Sequence, residues 1–228
     1  MSLPKLSGVT VVDHPLVQVK LAELRADSTD SEAFRRRLRE ISSLMVYEIA
    51  RNFETRPVRV RTPLQECDGR ALVRPVILAP ILRAGLGMAE GMQSALSEVS
   101  IGHIGLFRNE ETLRPESYYF KLPTHLPLAE TIVVDPMLAT GWSASAAIDQ
   151  LKRHGAQRIR FACIVSCPEG IEQMQRSHPE VPVYTAHIDE GLNAKGYILP
   201  GLGDAGDRYF GTFSHVPREE GPRDEAHR

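Results

Sequence analysis

The stretch TIVVDPMLATGWSASAAIDQL, residues 131–151, decides how the rest of the chain is read. An apolar run, Ile132, Val133 and Val134, ends in a single acid, Asp135. Pro136, Met137 and Leu138 follow, then the small residues Ala139, Thr140, Gly141 and Ser143, and then a helix-like pattern. A strand covered on both faces reads as a continuous apolar run. Small residues ahead of a helix let an anion approach open backbone N–H groups, and the helix dipole favours a phosphate there. An ordinary strand-to-helix turn with Ser143 as N-cap explains the same spacing. No Gly-Lys-Ser/Thr follows, so this is not a Walker loop. Trp142, inside the bend, is out of keeping with its neighbours.

Outward from this stretch, other segments repeat the strand-then-helix texture. VRPVILAPILRAG, SEVSIGHIGLFR, RIRFACIVSC and VPVYTAHID read as strands, and PVRVRTPL alternates like a short one. GMAEGMQSAL, SASAAIDQLKRHG and PEGIEQMQRSH read as helices, with Gly155 placed to stop the second. Short apolar strands alternating with helices predict an α/β fold with a mainly parallel central sheet flanked by helices. Upstream, DHPLVQVKLAELRAD predicts a helix with Pro15 in its first turn. In the next helix Thr29 and Glu32 have capping-box spacing, and Phe34, Leu38, Ile41, Met45 and Ile49 recur at helical intervals. Packing is the expected role of both helices, with a subunit interface as the alternative.

The chain has 228 residues, enough to bury a sizeable core in one large domain or two small ones. The expectation is one domain over residues 1–217 and a frayed polar tail over 218–228. Net charge is −2 with no block of five like charges, which speaks against a nucleic-acid arm. Apolar runs are interrupted well short of a membrane span, and no charged segment followed by an apolar one opens the chain. A soluble cytoplasmic protein is expected. Of three cysteines, Cys163 lies in an apolar run and reads as a buried, inert thiol, whereas Cys167 reads as accessible.

Ligands of open parallel sheets gather at the carboxyl ends of the strands. The strand-terminal residues there are Arg83, Arg108 and Asp135. Two guanidinium forks suit phosphate oxygens, and a carboxylate suits paired sugar hydroxyls. A second rich segment is GLNAKGYILPGLGDAGDRYFGT, residues 191–212. Its GLGDAG matches GxGxxG only formally, because the chain ends too soon for a βαβ unit. Asp204 and Asp207 read either as solvated loop acids or as holders of a metal–diphosphate group.

Together VDPMLATGWSA, PILRAGLGM, RNEET, CPEGIE and GYILPGLGDAGDRYFGT resemble the uracil phosphoribosyltransferase family of the type I phosphoribosyltransferase superfamily. The resemblance runs from DHPLV near residue 13 to Thr212. It implies conversion of uracil and 5-phosphoribosyl 1-diphosphate to UMP and diphosphate. Arg83 and Arg108 would meet the diphosphate. Residues 135–143, with Asp135 on the ribose and residues 139–143 on the phosphate, would hold the rest of the donor. Ile198, Gly203, Asp204 and Ala205 would hold uracil, with Asp204 also reaching the donor; Asp204 and Arg108 take the catalytic roles. The resemblance further implies Mg2+ bound with the diphosphate, a homodimer or larger homo-oligomer, and a GTP effector for which no residue set here argues. Nucleic-acid and membrane partners are not expected. A hairpin in RNEETLRPESYYFKLP would either close over the diphosphate or pack Tyr118, Tyr119 and Phe120 locally.

One departure stands out. The family has two glycines in the phosphate loop, ATGGS, and Trp142 takes the place of the second. If that position requires a positive φ, the indole shifts the loop or obstructs the donor. If φ is negative, the ring points away and the N–H survives.

Overall fold

The computed structural model describes residues 8–96, 98–108 and 115–212, with the side chain of Arg108 outside the described part. In chain order the elements are β1 (Val9–Val11), α1 (Pro15–Arg25), α2 (Ser31–Ile49), β2 (Thr55–Arg61), β3 (Glu66–Leu72), β4 (Val76–Leu82) and α3 (Gly85–Gln93). Then come β5 (Val99–Ile101), β6 (His103–Arg108), β7 (Pro115–Lys121), β8 (Glu130–Val134), β9 (Met137–Leu138), α4 (Trp142–Arg153) and β10 (Arg158–Ser166). The chain finishes with α5 (Pro168–Ser177), β11 (Val183–Ile188), β12 (Gly191–Leu192), β13 (Ile198–Leu199) and α6 (Ala205–Phe210).

The main sheet runs β1-β11-β10-β8-β4-β6-β7, with β5 also on β4 and β9 also on β10. Every pairing in it is parallel except β6 with β7. The chain leaves β4 for β5 and β6 on one side, then returns to lay β8 on the other. That reversal is the switch point at which α/β sheets open a crevice beyond their strand ends. Arg83 follows β4 and Asp135 follows β8, so the two residues flank the switch point.

The apolar runs are two-sided, as their sequences require. Val76, Leu78, Ile132, Val134, Ala162 and Ile164 face a layer made by α1, α2 and α3. Ile77, Ala79, Val133, Phe161 and Cys163 face α4 and α5. Alternate residues thus serve opposite faces, which explains why no polar residue interrupts the runs. Phe34, Leu38, Ile41, Met45 and Ile49 are fully buried, so the α2 stripe is core. Each such side chain contributes about 1.5–3 kcal/mol relative to exposure.

Local signals were less exact. Asp30, not Thr29, caps α2: its Oδ1 accepts from Ala33 N at 2.8 Å, while Thr29 Oγ1 donates to Glu23 O. Pro15 opens α1, and the cap is His14, whose Nδ1 accepts from Leu16 N at 3.2 Å. β2 exists, but it pairs only with β3 in a separate hairpin. The single segment SEVSIGHIGLFR divides into β5 and β6, with Gly102 N donating to Leu78 O between them. Cys163 is buried as expected, and burial pushes its thiol up to about 12. Cys167 is buried too, contrary to the sequence reading: its Sγ donates to Ala139 O at 3.1 Å, and burial pushes the thiol up to about 11. No described helix is long and apolar enough to cross a membrane. The tail over 218–228 lies outside the described residues.

Candidate active site

β8 ends at Val134, and the chain turns at once. Asp135 N donates to Ala162 O, and Pro136 O accepts from Ile164 N and Val165 N at 3.0 and 3.1 Å. β9 then re-pairs with β10, Met137 opposite Val165 and Leu138 opposite Ser166. Two parallel segments separated by this break lift the Asp135 carboxylate out of the ladder. Its Oδ1 takes only a long contact, 3.5 Å, from Met137 N. Burial pushes this carboxyl up to about 7, and the Met137 amide opposes the rise only weakly. No cation is paired with Asp135 among the described residues.

The loop after β9 reaches Gly141, with φ of +77°, and α4 begins at Trp142. The left-handed residue is therefore the glycine, and Trp142 is the first helical residue. The residue is 51% exposed. The N-cap is Gly141, not Ser143, and no side chain caps this helix start. The first N–H groups of a helix have no partner within it. Here no side chain takes them up, whereas Asp30 and Asp204 do so at α2 and α6.

The floor of the loop is α5, which the sequence showed as a helix but without this role. Cys167 N and Sγ reach the carbonyls of Leu138 and Ala139. A Cβ on Gly170 would stand 2.4 Å from Leu138 O and 2.5 Å from Ala139 O. Only a glycine lets the α5 turn come this close. The signal was a glycine two residues after a helix-opening proline.

Arg83 lies just past β4. A Cβ on Gly85 would meet Val134 O at 2.5 Å, so this bend folds directly over the end of β8. The Arg83 guanidinium spans toward α6: Nη2 is 3.6 Å from Asp207 Oδ1, Nη1 is 3.5 Å from Thr212 Oγ1, and the fork lies over the Phe210 ring. Arg108 ends β6, which pairs with β4 through Leu82 and Gly105. Its main chain is at the same sheet edge, but the segment 109–114 and its own side chain lie outside the described residues. Whether that hairpin closes thus also falls outside them. In its described part, Tyr118 packs on Phe107 and Phe120 on His154.

The second segment is built as a small platform. β12 and β13 pair antiparallel, placing Ile198 opposite Leu192. Ile198, Leu202 and Ala205 are buried in the same cluster that Ala84, Met137 and Ala139 pack against. The chain passes Gly203, at φ +70°, to Asp204. Asp204 caps the short α6, its Oδ1 accepting from Asp207 N at 2.8 Å. Beside this loop opens a cleft of about 430 Å³ that Tyr197, Gly203, Asp204 and Asp207 help to line. Sequence reasoning read the segment as loop throughout; the helix was missed because it is only six residues long.

An uncapped helix start, a strand-tip acid, a strand-tip arginine and a glycine-rich segment thus share one edge. A family model described as uracil phosphoribosyltransferase matches residues 11–212. The chain belongs to the uracil phosphoribosyltransferase family. A curated member from Dictyoglomus turgidum, named uracil phosphoribosyltransferase, is 58% identical over 205 residues, covering 90% of this chain and 99% of its own. Among solved structures, the AQ2163 protein from Aquifex aeolicus superposes with a TM-score of 0.82 at 35% identity, over 89% of this chain and 97% of that one. An adenine phosphoribosyl transferase from Trypanosoma brucei, in complex with AMP, pyrophosphate and ribose-5-phosphate, shares the fold: TM-score 0.56 at 13% identity, over 86% and 90% of the two chains. The mainly parallel sheet with helices on both faces is the one that the sequence motifs implied.

Proposed function

We propose that the chain transfers the phosphoribosyl group of 5-phosphoribosyl 1-diphosphate to N1 of uracil, giving UMP and diphosphate. The observation that carries this reading is the meeting of Arg83 with α6, which sets a diphosphate-binding arginine against the base platform. Relatives named for this reaction match the chain over nearly its whole length.

The open amides at the start of α4 hold the 5′-phosphate. Asp135 accepts from the ribose hydroxyls. Arg83, joined by Arg108, holds the leaving diphosphate. As the bond from C1 to diphosphate loosens, positive charge builds on the ribose and negative charge on the leaving oxygens. Fixed cationic and dipolar groups stabilise that separation without reorganising. Backbone groups of Ile198, Gly203, Asp204 and Ala205 hold uracil opposite the leaving group, so its N1 attacks with inversion. Uracil alternates carbonyls with N–H groups, and cytosine would leave a main-chain group unpaired.

Mg2+ is part of the proposal. No described group of three His, Cys, Asp or Glu side chains forms a ready cage. Asp135 and Asp204 offer hard carboxylate oxygens, which fit the habit of Mg2+ to take one or two carboxylates with substrate phosphates. When bound, it would neutralise the charge developing on the diphosphate. We further propose one catalytic unit over residues 1–217, a homodimer or larger homo-oligomer, GTP as an effector, and a cytoplasmic location. Three free cysteines, two of them buried, suit a reducing compartment.

Steady-state kinetics with the donor and uracil, cytosine, orotate, hypoxanthine or xanthine, with and without Mg2+, test the reading. UMP formation from uracil, dependent on Mg2+, is expected. Turnover of another base with none of uracil would overturn the assigned specificity.

A further inference from the structure

Behind the base platform sits an ion pair that no part of the reaction uses. Arg25, the last residue of α1, donates from Nη2 to Asp189 Oδ1 at 2.6 Å and from Nη1 to Asp189 Oδ2 at 2.9 Å. Asp189 follows the carboxyl end of β11, and its side chain is wholly buried. The pair holds a single residue between its two members. Arg25 Nη1 also donates to Gly201 O at 2.9 Å, and Gly201 N donates to Asp189 Oδ2 at 3.0 Å. One residue on, Arg208 Nη1 donates to Leu202 O at 2.9 Å, with its fork over Phe34. His187 Nε2 lies 3.7 Å from Asp189 Oδ1, and Arg208 Nη1 donates to Arg25 O at 3.4 Å.

Gly201 is where the platform bends back. Its φ is +63°, and a Cβ there would stand 2.2 Å from Ile198 O. The residue is buried in a segment with no strand neighbour, so both of its main-chain groups need partners. A buried ion pair is by itself a poor source of stability, since desolvation offsets its attraction and an apolar pair of similar volume often serves as well. What an apolar pair cannot do is grip both polar groups of one peptide residue.

We propose that Arg25 and Asp189 are positioning residues for the nucleobase. They stand in for a β-strand neighbour, fix the Gly201 turn, and so set the spacing between Ile198 and the Gly203–Asp204–Ala205 peptides that read uracil. The inference rests on the proposed activity and assigns its base specificity to residues behind the platform. The donor half, built on β8, α4 and α5, does not touch this pair.

The test compares the wild-type chain with Arg25→Lys and with the double variant Arg25→Met/Asp189→Leu. Removing both charges leaves neither one buried alone, so the double variant is expected to fold with a Tm lowered only by the several degrees that two unpaired Gly201 main-chain groups cost. Its KM for uracil should nevertheless rise by about 10²-fold, as misplacement of a substrate by an ångström does. KM for the donor should rise far less, by a few-fold at most, because Asp135 and the start of α4 share no partner with the pair and only Asp204 links the two halves. Arg25→Lys keeps the charge but loses the fork, and should raise KM for uracil about tenfold. The uracil-over-cytosine preference should fall in both, and the slow amide exchange of Gly201 in the wild-type chain should become fast in the double variant. A double variant with wild-type KM for uracil, or one in which both KM values rise together, overturns the inference and leaves the proposed activity standing. A wild-type chain that forms no UMP overturns both.

Discussion

Arg83 Nη2 stands 3.6 Å from Asp207 Oδ1, and Thr212 Oγ1 donates to the same Asp207 oxygen at 2.8 Å. The cation proposed to hold the diphosphate already has an internal anion. An exposed pair of this kind contributes about 0–1 kcal/mol, so the donor can displace it. Asp207→Asn should leave Tm nearly unchanged and lower KM for the donor by up to about fivefold, since a ground-state competitor is removed. A rise in that KM would instead show that Asp207 helps to hold the diphosphate and its metal. Arg83→Ala should cut kcat/KM for the donor by about 10²-fold or more.

Asp135 makes the site pH-dependent. Its carboxyl is pushed up to about 7 by burial, from a usual 3.8. Below about pH 7 it is protonated in the free enzyme and cannot accept from the ribose as a carboxylate, so kcat/KM for the donor should fall as pH drops. Asp135→Asn should lower donor use at every pH and flatten that profile.

The same shift has a stability consequence of opposite sign. A carboxyl whose folded pKa is raised favours the folded state fully below the unfolded value of about 3.8 and loses that contribution as pH rises through about 7. Asp135→Asn should therefore have a higher Tm than wild type at pH 8, and the difference should vanish near pH 4. Each kcal/mol recovered should appear as roughly 2–4 °C. A lower Tm for the variant at pH 8 would show that the carboxylate is stabilised in the folded chain.

Trp142 is tolerated because the left-handed position is Gly141. Trp142→Gly should leave KM for the donor within about twofold and lower stability by about 0.5 kcal/mol through helix propensity. A large fall in that KM would mean that the ring obstructs the donor.

Gly170 tests the floor of the phosphate loop without touching the loop itself. A Cβ there would meet two carbonyls at 2.4 and 2.5 Å. Gly170→Ala should push residues 138–139 outward, raise KM for the donor about tenfold or more, and leave KM for uracil almost unchanged. Equal changes in both would place the damage in the whole fold.

The sequence by itself determined the layered architecture and the residues at the strand tips. Apolar runs such as IVV before Asp135, alternating with helical patterns, read as strands covered on two sides, whereas the small-residue bend fitted both an open anion site and a Ser143-capped turn until the structure showed no side-chain cap there. The α2 stripe was equally legible, because five large apolar residues at helical spacing must all be buried. Tertiary structure alone decided the rest. Thr29 and Asp30 compete for one cap, and the hydrogen bond to Ala33 N chose Asp30. Cys167 looked accessible until α5 brought it under Ala139. Arg25 with Gly201, and Arg83 with Asp207, are far apart along the chain, and each pair meets only after the sheet has ordered its strands. Local periodicity records which face a residue shows, because burial acts on each residue separately. It carries no record of which distant polar group will satisfy a buried peptide, because that depends on where two elements dock.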